Sequence, residues 1–529
     1  MDARLGAIFA QGVAALRAGD FAAAERILLA VVEQNTGVHQ AWHALSVVAV
    51  RAGQPDIGVE RAKRALELDR RNSDYLNSLG IAHSENQDPD AAAQAFRRAL
   101  KVKPAYAEAH YNLAKVLREQ GKLSESLAEY QRAHALEPWA VPAQLGLAAV
   151  HRLNGSPERA LAVLRDGIRK GNPDPDVIPY LTECLADVEG PQAAVAWLEE
   201  LLARQPGNQQ AHHILGLLLL SLGRRREAWP HYLWRAHRDP ERMRARPAPL
   251  PERLEGRRIF LRAEEGIGDI LFYLRFAPQL ARRGAPFTLE CPPPMAKLAA
   301  LLEGRIPIGA AASSDLPLWI ADLPAVLQSE AVPPAFPLRA DAAQLARVRE
   351  ALARLGPPPY LALTWRAGTD LRRAREMGAH AAGVRLVYKE IALELLGQSV
   401  RGWRGTLLSL QRGLQPGELA ALREAAGAQV HDLAPMTEDL RETLALLAQL
   451  DEHVAVLNTN MHLLASLGRT ARVLVPRPLD WRWMREGESP WFPGFSVYRQ
   501  PAGLDWREPL DRLRRELAIS AGSPPRAAA

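Results

Sequence analysis

The stretch AEAHYNLAKVLREQGKLSESLAEYQRAHALEP, residues 107–138, predicts two short helices joined by a tight turn. Leu113 and Leu117 recur at helical spacing and give the first helix one apolar face. Gly121 marks the turn. Pro138 ends the second helix, because proline has no amide hydrogen to continue the hydrogen-bond ladder. The stretch therefore predicts one helical hairpin.

Two columns of small residues repeat this hairpin every 34 positions along the first 228 residues. A period of 34 with small residues at fixed phase is typical of stacked helical hairpins, whose helices touch where side chains are small. The columns are Ala24, Gly58, Ala92, Ser126, Ala160, Ala194 and Ala228, and Gly12, Ser46, Gly80, Ala114, Ala148, Thr182 and Gly216. They predict an all-α solenoid of about seven hairpins over residues 1–238. Any chemistry is expected in the remainder.

The composition is that of an ordinary globular chain. The 529 residues carry a formal net charge of +6, and no basic tract interleaved with aromatics predicts a nucleic-acid partner. Cys184 and Cys291 alone make neither a disulfide framework nor a cysteine metal site. The N-terminus lacks a signal-peptide pattern, and the longest apolar run, Ile214–Leu220, is too short to span a membrane. We expect a cytoplasmic protein without a membrane span.

After a basic and proline-rich connector, residues 239–256, the periodicity changes to alternating strands and helices. This alternation predicts parallel, doubly wound sheets, in a first lobe over residues 257–340 and a second over residues 341–518. Residues 519–529 are expected to be a disordered tail. The predicted strands are RRIFLRAEE (257–265), 286–291, 316–320, 360–365, 406–411, 429–433, 453–457 and 471–475. Periodicity alone permits either two sheets or one large sheet.

Several motifs of this half, in their order and spacing, resemble a family. They are FLRAEEGIGDILFYLRFAPQLARRG, ALTWRAGT, LLSLQRG, VLNTNMHLLASLG, DWRWM and SPWFPGFSVYRQ. The chain resembles tetratricopeptide-linked glycosyltransferases of GT-B fold, related to the ADP-heptose:lipopolysaccharide heptosyltransferases and distantly to the O-linked N-acetylglucosamine transferases. The resemblance implies a tetratricopeptide solenoid followed by an α/β GT-B domain of two Rossmann-like lobes. It also implies inverting sugar transfer from a nucleotide-sugar donor.

Gly266, Gly268 and Asp269 stand where a strand turns into a helix. In the heptosyltransferases a Gly-Asp pair at this place supplies the carboxylate proposed as the base, so the resemblance implies that role for Asp269. The alternative is a helix N-terminal carboxylate that stabilises the helix dipole. The two glycines are expected to let a donor or an acceptor approach the backbone.

A second strand-to-helix turn contains Asn458, Thr459 and Asn460. The free amides and the dipole of a helix N-terminus favour anions, and similar proteins place the nucleotide diphosphate at this turn. Ordinary N-capping is the alternative. His462, in the first turn of the same helix, is a candidate base or phosphate donor, against a packed helical histidine.

Three further residues are candidate contacts to the nucleotide sugar. Lys389 would neutralise the charge of the leaving group, or it is an exposed lysine at a helix start. Trp365 and Gln411 are the last residues of two predicted strands and are candidates to contact the base or sugar, although tryptophans more often fill a core. Trp481, Trp483 and Trp491 are open to the same two interpretations.

Metal chemistry has little support in the sequence. Asp-x-Asp occurs only as Asp88-Pro89-Asp90 and Asp174-Pro175-Asp176, inside the repeats, where proline turns account for it. We therefore predict no metal site and no cofactor, with a nucleotide sugar as substrate and a metal-independent transfer.

The sequence as a whole predicts a glycosyltransferase that modifies a hydroxyl of a protein acceptor, held partly in the groove of the repeats. The asparagine column that recurs in the O-linked N-acetylglucosamine transferases is represented only by Asn112. Two alternatives stay open: a non-catalytic scaffold with a degenerate transferase domain, and a transferase for a lipid-linked or polysaccharide acceptor. If the repeats do not bind the acceptor, we expect them only to support or oligomerise the second half. The oligomeric state is open.

Overall fold

The computed structural model describes residues 3–169, 175–235, 247–254, 256–263, 266–292, 295–310, 316–367, 389–477, 480–503 and 505–520. The chain divides into two compact units, Met1–Val188 and Glu189–Ala529, which we call the repeat unit and the second unit. The division falls within the stretch predicted to be solenoid, so the last helices of the 34-residue pattern belong to the second unit.

Fourteen helices precede the first strand in the described part of the chain, as a tetratricopeptide solenoid requires. In the repeat unit they are α1 Ala3–Arg17, α2 Phe21–Gln34, α3 His39–Arg51, α4 Pro55–Leu68, α5 Ser73–Glu85, α6 Pro89–Val102, α7 Ala107–Glu119, α8 Leu123–Leu136, α9 Val141–Leu153, α10 Pro157–Arg169 and α11 Val177–Val188. In the second unit they are α12 Pro191–Arg204, α13 Gln209–Ser221 and α14 Arg225–Tyr232.

The two small-residue columns are buried throughout, and in several hairpins they let the two helices approach closely. A methyl group added to Gly80 would lie 2.5 Å from the ring of Phe96, sixteen positions on, and one added to Gly12 would lie 2.7 Å from Leu28. Ser126 donates a hydrogen bond of 2.7 Å from one column to the carbonyl oxygen of Ala114 in the other. The columns therefore act as predicted, and the solenoid prediction is confirmed.

The described residues of the second unit form two separate parallel sheets and a short antiparallel pair, which excludes the single large sheet that periodicity had left open. The first is parallel, with the order β2-β1-β3, from β1 Ile259–Arg262, β2 Phe287–Leu289 and β3 Leu316–Trp319. Its helices are α15 Ile267–Tyr273, α16 Pro278–Arg282, α17 Ala296–Leu302 and α18 Leu323–Val326. In the chain, Gly266 and α15 come next after β1.

The second sheet has six parallel strands in the order β11-β10-β9-β4-β7-β8. They are β4 Tyr360–Thr364, β7 Thr406–Ser409, β8 Val430–Asp432, β9 Glu452–Val456, β10 Arg472–Val475 and β11 Ser496–Arg499. A short antiparallel pair, β5 Arg366–Ala367 and β6 Lys389–Glu390, lies beside it. The helices are α19 Ala342–Leu355, α20 Leu393–Val400, α21 Glu418–Ala426, α22 Leu440–Gln449, α23 Thr459–Ser466 and α24 Arg507–Ser520.

The last helical hairpin, α13 and α14, packs against the α/β part of the second unit. Trp229 donates a hydrogen bond of 2.9 Å from its indole to the carbonyl oxygen of Ser329. Arg235 and Asp322 form an ion pair of 2.6 Å, with side chains only 8% and 1% exposed. The hydroxyls of Tyr232 and Tyr273 also bond to each other. Within the second unit, repeat helices and sheets are therefore joined by buried polar contacts.

Candidate functional site

The first wall of the candidate site is the turn between β1 and α15. Gly266 is the residue before α15 and has an extended backbone, and Asp269 lies in the first turn of the helix. The carboxylate oxygen Oδ2 of Asp269 lies 3.6 Å from the position that a side chain on Gly266 would occupy. Residues 264 and 265 lie outside the described part of the chain. This wall therefore presents one carboxylate beside a glycine backbone.

The second wall is the start of α23, which follows β9. Asn458 caps the helix, with its side-chain oxygen 2.9 Å from the amide nitrogen of Asn460. This is the N-capping that the sequence left open beside phosphate binding. Thr459 and His462 lie in the first turn of the helix, where the positive end of the helix dipole is located.

The two walls enclose a cleft of about 290 Å³. Its lining brings together seven of the residues singled out from the sequence, Gly266, Gly268, Asp269, Asn458, Thr459, His462 and Trp483, with Ile267, Leu457, Met461, Asp480 and Arg482. Residues almost 200 positions apart in the chain thus meet in one cavity within the second unit.

Gly268 makes the closest approach between the walls. A side chain there would put its first carbon 2.9 Å from the imidazole carbon Cδ2 of His462 and 3.4 Å from Thr459 Cα. His462 also packs edge-on against Phe272 and Phe492, with ring centroids 5.9 and 5.4 Å apart. Gly268 is therefore needed for helix α15 to pack against helix α23, and not only for the approach of a ligand.

Arg482 is the cation of the cleft, and it is held between two carboxylates. Its guanidinium lies 2.5 Å from Oδ1 of Asp269 and 3.1 Å from Oδ2 of Asp480. Its backbone amide donates a further bond to Asp480. The side chain of Arg482 is only 12% exposed, against 37% for Asp269. The ion pair with Asp269 therefore joins the turn after β1 to the segment after β10.

The surroundings of Arg482 keep it charged. Burial alone would lower the pKa of Arg482, but the carboxylates of Asp480 and Asp269 raise that pKa well above its usual value. The guanidinium carbon also lies 4.7 Å from the ring centre of Phe272 and 5.0 Å from that of Trp481, within cation–π range. Arg482 is a permanent, nearly buried positive charge at the edge of the cleft.

A second arginine, Arg275, packs against Phe272 in the helix of the first wall. It is 3% exposed, donates bonds to the carbonyl oxygens of Phe272 and Trp491, and lies 4.3 Å from the ring centre of Phe272. Burial first, and then the positive charge of Arg482, lower the pKa of Arg275 to about 9. Arg275 therefore connects the residues after α15 to the Trp491 segment through backbone bonds.

Trp365 and Gln411 lie elsewhere. Trp365 has no exposed surface and belongs to the core of the six-stranded sheet, so it has no free face on which a ligand could stack. Gln411 is 3% exposed, and its oxygen accepts bonds from the backbone amides of Trp365 and Arg366, at 3.1 and 2.8 Å. As folded, both residues shape the carboxyl end of β4 and do not line the cleft.

Lys389 begins β6 and not a helix, since its backbone pairs with Ala367. Its side chain, like residues 368–388, lies outside the described part of the chain. Asn460 donates its amide to Asn458 and is not among the residues that line the cleft. Trp481, Trp483 and Trp491 are buried, and Trp483 stacks on Phe492 at a centroid distance of 4.3 Å.

Sequence reasoning missed Arg482 and Asp480, although both belong to the quoted motif DWRWM. The signal was an arginine two positions after an aspartate in a tryptophan-rich loop. That signal is weak because such residues usually make a local ion pair. Only the fold shows that Asp269, 213 positions earlier, completes the group.

The repeat unit contains its own polar network on the first helices of its hairpins. His43 bonds to Ser78 at 2.8 Å, and the side chain of Asn112 donates to Asn77 at 3.1 Å. Asn77 in turn donates to Glu108 at 3.2 Å. The one asparagine that fits the transferase column therefore contacts its neighbouring repeat.

No group of three or more His, Cys, Asp or Glu side chains among the described residues is arranged to hold a metal ion. None of the helices in the described part of the chain is long and apolar enough to cross a membrane.

Comparison with known proteins supports the repeats most strongly. Residues 9–56, 43–99 and 78–140 match one family model described as tetratricopeptide repeat, and residues 117–178 match a second one. The solved structures of MamA and of PilW, a type IV pilus biogenesis factor, are 22% and 19% identical to the chain. They cover 32% and 41% of it and 95% and 100% of their own chains, with TM-scores of 0.29 and 0.36.

Two curated relatives are similar over very different lengths. Protein FlbA of Caulobacter vibrioides is 23% identical over 556 residues, which cover 97% of this chain and 90% of FlbA. The protein O-mannosyl-transferase TMTC3 of Homo sapiens is 30% identical over 101 residues, which cover 19% of this chain and only 11% of TMTC3. The comparisons confirm that the first part of the chain consists of tetratricopeptide repeats, which typically mediate contacts between proteins.

Proposed function

We propose that the second unit is a two-lobed GT-B glycosyltransferase that moves a sugar from a nucleotide-sugar donor to a hydroxyl of a protein acceptor, without a metal ion. The observation that carries the proposal is the cleft in which the Gly266–Asp269 turn faces the Asn458–His462 turn and Arg482. It combines a carboxylate, a buried cation and a helix N-terminus, which are the groups that such a transfer needs.

The order of the strands supports a ligand at this place. Numbered from β4, the order of the six-stranded sheet is the 3-2-1-4-5-6 order of a doubly wound sheet. In such sheets the strand order reverses between the first and fourth strands, here β4 and β9, and ligands bind beyond their carboxyl ends. Asn458 and Thr459 come directly after β9.

The reaction follows from the charges of the cleft. Asp269 accepts the proton of the acceptor hydroxyl, whose oxygen forms a bond to the anomeric carbon of the donor sugar. The bond between that carbon and the diphosphate breaks, and the diphosphate leaves with the electron pair. Arg482 and the positive end of α23 stabilise the charge that develops on the diphosphate.

The two carboxylate oxygens of Asp269 have different surroundings, because only one of them pairs with Arg482. Oδ1 faces the guanidinium at 2.5 Å, while Oδ2 lies near the open backbone of Gly266. We assign the proton transfer to Oδ2. Asp480 keeps Arg482 in place when the diphosphate competes with Asp269 for the guanidinium, because Asp480 bonds both its side chain and its backbone amide.

The acceptor is proposed to be a protein because tetratricopeptide repeats precede the transferase part. The relative TMTC3, which is named a protein O-mannosyl-transferase, supports this choice over only 101 aligned residues. The proposal therefore depends on the cleft and not on that similarity. The repeats would hold the acceptor polypeptide, and the cleft would hold the donor.

One observation favours the alternative of a non-catalytic scaffold. The charged side chains of the cleft already pair with each other, since Arg482 pairs with both Asp269 and Asp480. A degenerate site would show the same pairs and would bind no donor. Transfer to a lipid-linked or polysaccharide acceptor would leave the same donor site intact.

The test is a thermal-shift series on the full chain with UDP-, GDP-, ADP- and CMP-sugars. We expect one nucleotide class to raise the melting temperature, and Arg482→Gln to abolish that rise. The matched control is Arg472→Gln, which also removes a nearly buried arginine held by two acids, Glu452 and Glu516, outside the cleft. If none of the four nucleotide-sugar classes raises the melting temperature, the enzyme proposal is wrong and the non-catalytic scaffold is the remaining interpretation.

A further inference from the structure

The most exposed large apolar side chains of the described residues lie together in the repeat unit. They are Leu68, Val102 and Leu136, at 37–40% exposure, and Trp139, at 72%. The three aliphatic residues are 34 positions apart, and each is the last residue of a second helix, α4, α6 or α8. Since successive repeats place equivalent positions side by side, these residues form one row along an edge, which we call the apolar row.

A row of arginines accompanies the apolar row. Arg64, Arg98 and Arg132 are exposed and stand four positions before the aliphatic residues, so each lies one helical turn earlier on the same face. Arg64 and Arg132 also pair with glutamates of their own helices. Over residues 64–71, 98–103 and 132–139 the sequence contains seven Arg or Lys against three Asp or Glu, which makes this edge positively charged.

This combination fits the headgroup layer of an anionic membrane. Tryptophan and aliphatic side chains insert at the boundary between headgroups and acyl chains, and arginine and lysine are attracted to anionic lipids. Single aliphatic side chains spaced one repeat apart insert separately, and a fluid layer accepts them without the matched pockets that a protein partner has to supply.

We propose that this edge of the repeat unit docks on an anionic membrane surface. The apolar row and Trp139 enter the headgroup layer, and the arginine row with Lys101 and Lys103 contacts the lipid phosphates. The association is peripheral, so it is reversible and weakens as salt screens the charges. This surface would bring the acceptor-holding repeats to the membrane, whether or not the second unit transfers sugar.

The test is co-sedimentation of the full chain with vesicles of phosphatidylcholine alone and of equimolar phosphatidylcholine and phosphatidylglycerol. We expect binding to the mixed vesicles only, reduced about tenfold or more by Lys101→Glu/Lys103→Glu. The matched control is Arg514→Glu/Arg515→Glu, the same charge change at two exposed residues of α24, which should bind like the wild type.

A second variant tests the apolar part. Leu68→Gln/Leu136→Gln adds no charge and should still reduce vesicle binding, because it removes two apolar side chains that are 40% and 39% exposed. The melting temperature of the variant shows whether the repeat unit stays folded. No binding of the wild-type chain to the mixed vesicles would overturn the proposal. Equal losses in the Lys101/Lys103 and Arg514/Arg515 variants would overturn it too, because net charge and not this edge would then account for binding.

Discussion

The repeat unit and the cleft of the second unit differ in how far apart in sequence their contacting residues are. In the repeat unit, Ser126 bonds to Ala114 twelve positions away, and Asn112 bonds to Asn77 in the neighbouring repeat. In the cleft, Arg482 bonds to Asp269 across 213 positions. Contacts of the first kind recur with a period and are visible in the sequence, whereas contacts of the second kind depend on how two sheets come together.

The largest expected effect comes from breaking a long-range buried contact. Asp322→Ala removes the carboxylate of a nearly buried ion pair with Arg235, so we expect the free energy of unfolding of the second unit to fall by about 3–5 kcal/mol. Denaturant titration of the full chain, with unfolding monitored by two spectroscopic probes, measures this loss of unfolding free energy.

The repeat unit supplies the matched comparison. Glu125→Ala removes the exposed pair with Arg97 and should cost less than about 1 kcal/mol. Replacing the buried pair by Arg235→Met/Asp322→Leu should recover most of the loss. Equal costs for Asp322→Ala and Glu125→Ala would remove the distinction between the two units.

The next effect concerns the small-residue columns. Gly80→Val places a branched side chain against the ring of Phe96, so we expect a loss of about 1–3 kcal/mol in the unfolding of the repeat unit. Ala22→Val, at an exposed position of α2, is the control and should cost less than about 1 kcal/mol. If the transition of the second unit moved together with that of the repeat unit, the two would not be separate compact units.

A smaller effect separates capping from ligand binding at the cleft. Asn458→Ala and Asp439→Ala each remove an N-cap from a helix of the second unit, and each should cost about 1 kcal/mol of stability. Only Asn458→Ala should also reduce the thermal shift caused by the nucleotide sugar. Loss of that shift in both variants would mean that it reports stability and not the site.

The smallest effect is a pH dependence from His453 in β9. Burial lowers the pKa of His453 from 6.5 to about 3. His453 is protonated near pH 6.5 in the unfolded chain and only near pH 3 in the folded chain. The free energy of unfolding is therefore unaffected by this residue above pH 6.5, and it falls steadily as the pH drops from 6.5 towards 3. At pH 6 the protonation of His453 in the unfolded chain lowers the free energy of unfolding by about 1 kcal/mol.

The variant His453→Gln isolates this contribution. The difference in unfolding free energy between pH 8 and pH 6 should be smaller in the variant by that amount, because glutamine does not titrate. The histidines of the repeat unit contribute equally to both proteins and cancel. An identical pH dependence in the two proteins would show that His453 is not buried in its neutral form.

The sequence predicted the repeats well, because their contacts depend on residues at fixed spacing. The strands of the α/β part followed from short apolar runs, and seven of the eight predicted strands lie within two residues of the observed ends on both sides; the first, Ile259–Arg262, is shorter than its quoted stretch. The strand Ser496–Arg499 and the short pair Arg366–Ala367 and Lys389–Glu390 were not predicted. The helix predicted to begin at Lys389 begins at Leu393.

The cleft was predicted in part. Glycine, aspartate and asparagine at the ends of strands are strong signals for turns, so Gly266, Gly268, Asp269, Asn458 and Thr459 were found, and the structure places them in one cavity. Trp365 and Gln411 stand at equally suitable sequence positions, yet the sheet buries them. The sequence could not identify Arg482 as a cleft residue, because its partner Asp269 is distant in the chain.

Isothermal titration calorimetry of the full chain measures whether this cleft binds the diphosphate of a nucleotide sugar. The titrant is the nucleotide sugar that gives the largest thermal shift. We expect one saturable site. Its affinity should fall at least about tenfold in Arg482→Gln, as for the loss of a hydrogen bond to a charged group, and should be unchanged in Arg472→Gln. Absence of binding, or equal affinity in the wild type and in Arg482→Gln, would contradict the proposed function.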